Sequence, residues 1–388
     1  MQKKIIALAL AAVAGSAAAQ TNVTIYGVAD AGFASVSASG AKRTSAIVSG
    51  GLSGSRIGFK GTEDLGNGLK ALFTLEYGLA IDQNSFIGDQ SSNQARQQLV
   101  GLTSDKFGTV VAGYLQTAGY DFACATNPLA GGPLDGYTLV SGGSALLSCG
   151  AKGRASNAVA YVSPNFGGLT LSYNHARVTE IAGATNTKDI YANLLAASYE
   201  NGPISAGAIY SKISGNNAGV DLSGDSNTVY QNGVGTSTPG SASFLAKDLV
   251  EWGVRGSYNF GVAKLNASYQ VADSKATDGK NKKWQVSATV PTTATGAAHV
   301  MYAKNKMDEN TTSNDGTSAW TLAYTHGLSK RTTLYTGYTR LSNQDNAKLG
   351  AFGIYEAGNS NAYVGKDSIA PATGGNSSIF AMGINHKF

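Results

Sequence analysis

Ser55-Arg-Ile-Gly-Phe-Lys60, Gly61-Thr-Glu-Asp-Leu-Gly-Asn-Gly68 and Leu69-Lys-Ala-Leu-Phe-Thr-Leu-Glu-Tyr77 follow one another without a break. Ser55, Ile57 and Phe59 oppose Arg56, Gly58 and Lys60, and Leu69, Ala71, Phe73, Leu75 and Tyr77 oppose Lys70, Thr74 and Glu76. A period of two puts apolar side chains on one face of a strand and wet ones on the other. The polar Gly/Asn segment between the runs predicts a tight turn over 61–68, so the stretch reads as a β-hairpin.

The same unit recurs in both directions. Upstream, Val23, Ile25, Gly27, Ala29, Ala31 and Phe33 alternate with Thr24, Tyr26, Asp30 and Gly32. At the far end, Phe380, Met382, Ile384, His386 and Phe388 share one face, opposite Ala381, Gly383, Asn385 and Lys387. Short Gly/Asn/Pro turns alternate with long polar loops near 38–50, 81–93, 117–153, 181–188, 215–247, 275–282, 309–317 and 344–374. Sixteen strands, eight long loops and seven short turns suit an even-stranded antiparallel barrel whose ends lie on the short-turn side. The third long loop interrupts the pattern from Gln116 to Arg154 and holds both cysteines, Cys124 and Cys149. Two cysteines in one loop of an exported chain predict a disulfide.

Composition points the same way. Charged residues make up 14% and glycines number 50 of 388; a soluble domain carries about 25% charge and about 7% glycine. Lys3 and Lys4, the apolar run Ile5–Val13 and Ala17-Ala-Ala19 read as a secretory signal peptide over 1–19. Its removal lowers the net charge from +5 to +3, too mild to suggest a nucleic-acid partner. Beyond it no apolar run approaches the roughly twenty residues of a membrane helix. The expectation is one domain, 20–388, forming an all-β transmembrane barrel in the outer membrane; a soluble β-solenoid or an adhesin is the alternative.

Val23-Thr-Ile-Tyr-Gly27, Ser53-Gly-Ser-Arg-Ile-Gly-Phe-Lys-Gly-Thr-Glu-Asp-Leu-Gly-Asn-Gly68, Arg96-Gln-Gln-Leu-Val-Gly-Leu102 and terminal Phe388 together resemble the general diffusion porins of Gram-negative bacteria, in particular the trimeric, often anion-preferring β-proteobacterial and neisserial branch. The resemblance implies a homotrimer of sixteen-stranded barrels in a lipid bilayer with lipopolysaccharide, each with its third long loop folded into the lumen. It carries a basic pore constriction to Arg56, Arg96 and Arg154, and places Glu76 nearby. Where the family has a Pro-Glu-Phe-Gly-Gly acidic turn in that loop, this chain has Pro128-Leu-Ala-Gly-Gly132, so the loop's acids are Asp121 and Asp135.

Catalysis finds little support. His175, His299, His326 and His386 are scattered without metal-ligand spacing, and none accompanies a Gly-x-Ser-x-Gly elbow. No cofactor and no metal are expected. The chain is read as a water-filled channel for passive diffusion of small hydrophilic solutes and inorganic ions, anion-preferring. A plugged surface adhesin and a substrate-specific channel are the competing readings; bilayer conductance separates the first.

Overall fold

The computed structural model describes residues 22–83, 87, 95–140, 144–179, 190–214, 248–275, 279–308, 316–347, 349–350 and 371–388. The signal peptide expected at 1–19 lies outside the described residues, as do most of the longest loop segments.

Seventeen strand segments follow in order: β1 Asn22–Ala38, β2 Thr44–Ser49, β3 Arg56–Gly66, β4 Leu69–Gly78, β5 Ala95–Ser104, β6 Gly108–Gln116, β7 Arg154–Val162, β8 Leu169–Thr179, β9 Ile190–Asn201, β10 Ile204–Ser214, β11 Leu249–Asn259, β12 Lys264–Ser274, β13 Gly279–Pro291, β14 Gly296–Asp308, β15 Thr317–Gly327, β16 Thr332–Asn343 and β17 Asn376–Lys387. β1 pairs antiparallel with β2 along its upper part and with β3 along its lower part, so these two are halves of one stave. β17 pairs back onto β1 from Val28↔Lys387 to Ala38↔Ser377, closing a sixteen-stranded antiparallel barrel. The first long loop, expected over 38–50, is therefore shorter, because Thr44–Ser49 joins the sheet. The turn expected over 61–68 contracts to Asn67-Gly68, both at positive φ (53° and 76°), the geometry that lets a two-residue turn follow the strand twist.

What splits the second stave is Asp30, which is fully buried. Its carboxylate accepts hydrogen bonds from the backbone N–H groups of Gly51 (2.9 Å), Leu52 (3.0 Å) and Ser53 (2.9 Å), from the Tyr335 hydroxyl (2.8 Å) and from Asn385 Nδ2 (2.8 Å). The chain between β2 and β3 bends inward to reach it. One side chain thus ties the first stave, the break in the second and the last two strands together at the seam.

The two faces of the sheet differ as the alternation predicts. Val23, Ile25, Val100, Trp252, Val254, Trp284, Val286, Trp320, Leu322, Phe380, Met382 and Ile384 are exposed on the outer face. Asn174, Glu251, Arg255, Gln270, Lys283, Gln285 and Thr321 are buried on the other. The inner face is not uniformly polar, however. Ile190, Leu194, Ile213 and Leu249 form one apolar cluster with Phe122, Leu146 and Leu147, and Met301, Leu341 and Ile379 form another with Leu129, Leu134 and Tyr137. The barrel's core lies where residues 117–140 and 144–153 meet its wall. Among the described residues no helix is long and apolar enough to cross a membrane.

Candidate functional site

Three neighbouring staves build the site. Tyr26, Gly58 and Glu76 occupy one register row across β1, β3 and β4. A Cβ at Gly58 would fall 2.3 Å from the Tyr26 ring; its absence lets the ring lie across the strand, so that the Tyr26 hydroxyl donates to Glu76 Oε2 at 3.0 Å. Glu76 is 5% exposed, too buried to stand without partners, and two arginines supply them. Arg96 Nε donates to Oε1 at 2.7 Å, and Arg56 Nε lies 3.6 Å from Oε2. Arg96 is aimed by a bulge: Glu76 pairs with Gln97 and Tyr77 with Ala95, leaving Arg96 as the extra residue. Arg56 also donates to the Gly54 carbonyl at 2.9 Å.

Arg154 arrives from the loop. At the first position of β7 it pairs with Gln116, and its guanidinium stacks 4.9 Å from the Tyr120 ring centroid. Its Nε is buried without a hydrogen-bond partner. Arg56, Arg96 and Glu76 are thus joined directly, and Arg154 rests on Tyr120 of the loop. Guanidinium groups stay charged at any working pH, so three cations face one carboxylate.

Tyr120 belongs to α1 (Ala118–Ala125), one of two α-helices among the described residues of the third loop; the other is α2 (Gly136–Leu139). The loop is laced to inward-facing side chains around much of the wall. Asn174 accepts from the Ala118 N–H at 2.7 Å. Glu251 accepts from the N–H groups of Ala145 and Leu146, both at 2.9 Å. Gln270 donates to the Leu147 carbonyl (3.0 Å), Gln285 to that of Thr126 (2.9 Å) and Asn305 to that of Val140 (2.8 Å). Lys283 Nζ lies 3.8 Å from the Tyr137 ring centroid. Cys124 and Cys149 are joined, their Cα atoms 4.9 Å apart, which ties α1 to the segment before Arg154.

The loop's two acids take other places than the sequence suggests. Asp135 is fully buried, caps α2 through the Thr138 N–H (2.8 Å) and also accepts from the Thr138 hydroxyl (2.7 Å) and the Gly131 N–H (3.2 Å). Its hydrogen bonds satisfy a helix end and a turn, and Arg56, Arg96 and Arg154 are not among those partners. Burial pushes its carboxyl above the usual range. Asp121 is open to water yet enclosed on most sides; that confinement pushes its carboxyl up to about 6, and the charge opposing the shift is Arg255. Arg255 Nη1 donates to Ser205 (3.2 Å) and Nη2 to Ser198 (3.1 Å). Arg255, Glu251 and Lys283 were not singled out from the sequence, although each sits beside an outward apolar residue in a period-two run.

Phe380, Met382, Ile384 and His386 are exposed on the outer face, and Phe388 exchanges both backbone hydrogen bonds with Gly27 (3.0 and 3.1 Å). A closed barrel with an apolar outside, a polar inside and a clustered set of wall charges defines a β-barrel channel of an outer membrane. The family model for the Gram-negative porin matches residues 7–346, and the chain belongs to that family. It is 33% identical over 372 residues to outer membrane porin protein 32 of Delftia acidovorans, covering 92% of this chain and 95% of that one. It is 27% identical to an outer membrane porin protein of Bordetella pertussis, covering 86% and 93%. Among solved structures, the anion-selective porin from Comamonas acidovorans superposes with a TM-score of 0.70 at 26% identity, covering 95% of this chain and all of that one. The protein is an outer-membrane porin.

Proposed function

We propose that the third loop lies in the lumen as the constriction of a diffusion channel, and that Arg56, Arg96 and Arg154 make this channel prefer small anions. The carrying observation is charge: three guanidinium groups against the carboxylate of Glu76, with Asp135 withdrawn into α2 and Asp121 set against a fourth cation, Arg255. The similar Comamonas structure, named as anion-selective, supports the reading, as do the loop's bonds to the inner wall.

A net of two charges about 10 Å from a passing ion is worth roughly 0.8 kcal/mol through water. A Debye length near 8 Å at physiological salt cuts that to about a third, whereas dilute salt leaves most of it. Anions are therefore favoured severalfold in dilute salt and about twofold at physiological salt. Reversal potentials across a potassium chloride gradient test this. Arg96→Ala and Arg154→Ala should each lower the anion preference and Glu76→Gln should raise it. Cation preference in the unmodified channel, or no shift in any variant, would show that the cluster does not set selectivity.

A further inference from the structure

Glu251 lies outside the arginine cluster, yet it holds the stretch of chain that leads into Arg154. It is fully buried on β11, and a carboxylate taken out of water is costly unless donors surround it. Two successive backbone N–H groups, those of Ala145 and Leu146, donate to its two oxygens, both at 2.9 Å. The bonds flanking this pair are neutral: Gln270 Nε2 donates to the Ser144 hydroxyl (2.8 Å) and to the Leu147 carbonyl (3.0 Å), and Gln270 Oε1 accepts from the Tyr137 hydroxyl. A hydrogen bond to an ionised acceptor is roughly twice as strong as a neutral one, so Glu251 is the main anchor of residues 144–147.

The anchored segment passes its position on through two glycines. The Leu146 carbonyl rests on α1 so closely that a Cβ at Gly119 would fall 2.3 Å from its oxygen. The Ser148 carbonyl rests on Gly153 in the same way: a Cβ there would fall 2.2 Å from that oxygen and 2.8 Å from Tyr120 Cβ. Gly153 is in turn tied to the start of α1, its carbonyl accepting from the Thr117 N–H (3.0 Å) and hydroxyl (2.9 Å). Residues 146–148 are therefore a wedge between the first turn of α1 and the residue before Arg154. Tyr120 follows one glycine and Arg154 the other, and these two side chains stack at 4.9 Å.

We infer that Glu251 is a positioning residue for ion selectivity: by anchoring residues 145–146 to β11 it fixes the wedge that sets the Arg154 guanidinium against Tyr120. The inference rests on the reading of the third loop as the constriction. Its signature is a reversed sign. By charge alone, losing a carboxylate makes a channel more anion-preferring, which is the outcome expected of Glu76→Gln. Glu251→Gln should do the opposite. An amide keeps one acceptor oxygen but turns its NH2 toward the second backbone N–H, so the segment is released and Arg154 leaves its place.

Reversal potentials of the full-length, unreduced protein across a dilute potassium chloride gradient give the test. Glu251→Gln should lower the chloride-to-potassium permeability ratio about twofold, the share of one guanidinium roughly 10 Å from the ion. Gly119→Ala sets a methyl against the Leu146 carbonyl without changing any charge, and should produce the same fall. Where Glu251→Gln yields no inserted channels, Gly119→Ala decides alone. If Glu251 acts through Arg154, adding Glu251→Gln to Arg154→Ala lowers the ratio no further. A ratio that rises or stays level with Glu251→Gln, a level ratio with Gly119→Ala, or a further fall in the double variant would overturn the inference. In each of those cases a fall with Arg154→Ala alone leaves the arginine reading standing, whereas no shift with Arg154→Ala overturns both.

Discussion

Asp121 is the one carboxylate of the third loop that both meets water and titrates near neutrality, its carboxyl pushed up to about 6 by enclosure although the charge of Arg255 opposes the shift. Its folded pKa is raised, so the neutral form dominates below that value and the charged form appears as pH rises through it. Anion preference should therefore fall between about pH 5 and 7, while Asp121→Asn should flatten the profile. A preference that rises with pH would contradict this. Asp30 makes a different kind of prediction. Asp30→Ala leaves three backbone N–H groups and two side-chain donors without their acceptor. The loss should exceed roughly 3 kcal/mol, seen as a lower unfolding midpoint in denaturant, with Asp30→Asn intermediate. Neither role could be read from the sequence. Asp30's partners Tyr335 and Asn385 lie 305 and 355 positions away, and Asp121's neighbour Arg255 is on another strand. Arg56 and Glu76 were legible, because a period of two turns them to the wet side whatever the register.

At the scale of elements, the strands were the legible part. A barrel stave must present alternating faces along its whole length, so the hairpin from β3 to β4, the break after Gln116 and the last strand all announce themselves. The bulge that aims Arg96 and the split between β2 and β3 do not, because each depends on pairing with a neighbour. The third loop was legible only as an interruption. It carries apolar residues, Phe122, Leu129, Leu134 and Leu147, that dock on inward-facing Ile190, Ile213, Met301 and Ile379; a polar lumen was the expectation for those wall positions. The Cys124–Cys149 bond spans a sequence separation of 25, and in the chain-entropy picture such a closure contributes roughly 3–4 kcal/mol. Thiol labelling of the unreduced, denatured protein should give close to zero thiols per chain. Reduction should leave the barrel conducting but raise current noise as the loop loosens; two labelled thiols without reductant would refute the tie.

At the scale of the whole molecule, the outer face is not the same all round the barrel. All three tryptophans lie outward on β11, β13 and β15, whereas β1 to β6 turn outward mainly aliphatic and small side chains, the exposed Val23, Ile25, Ile47, Val100 and Val110 and the half-buried Ala29 and Ala31, beside Phe33. Gly27, which by sequence belongs with the small residues, is covered from within its own chain, since a Cβ there would fall 2.4 Å from the Phe388 ring. Ala29 and Ala31 remain, and small residues on a membrane face allow close approach of a second barrel. We therefore infer a homotrimer assembled through β1–β6, each barrel keeping its aromatic side toward lipid. Mass measured in mild detergent should correspond to three chains. Ala31→Trp should convert the trimer to single barrels, because the indole would hold neighbours apart, while the conductance of one barrel stays the same. A monomer under every mild condition would remove the assembly, and an intact trimer with Ala31→Trp would move its interface to another part of the barrel.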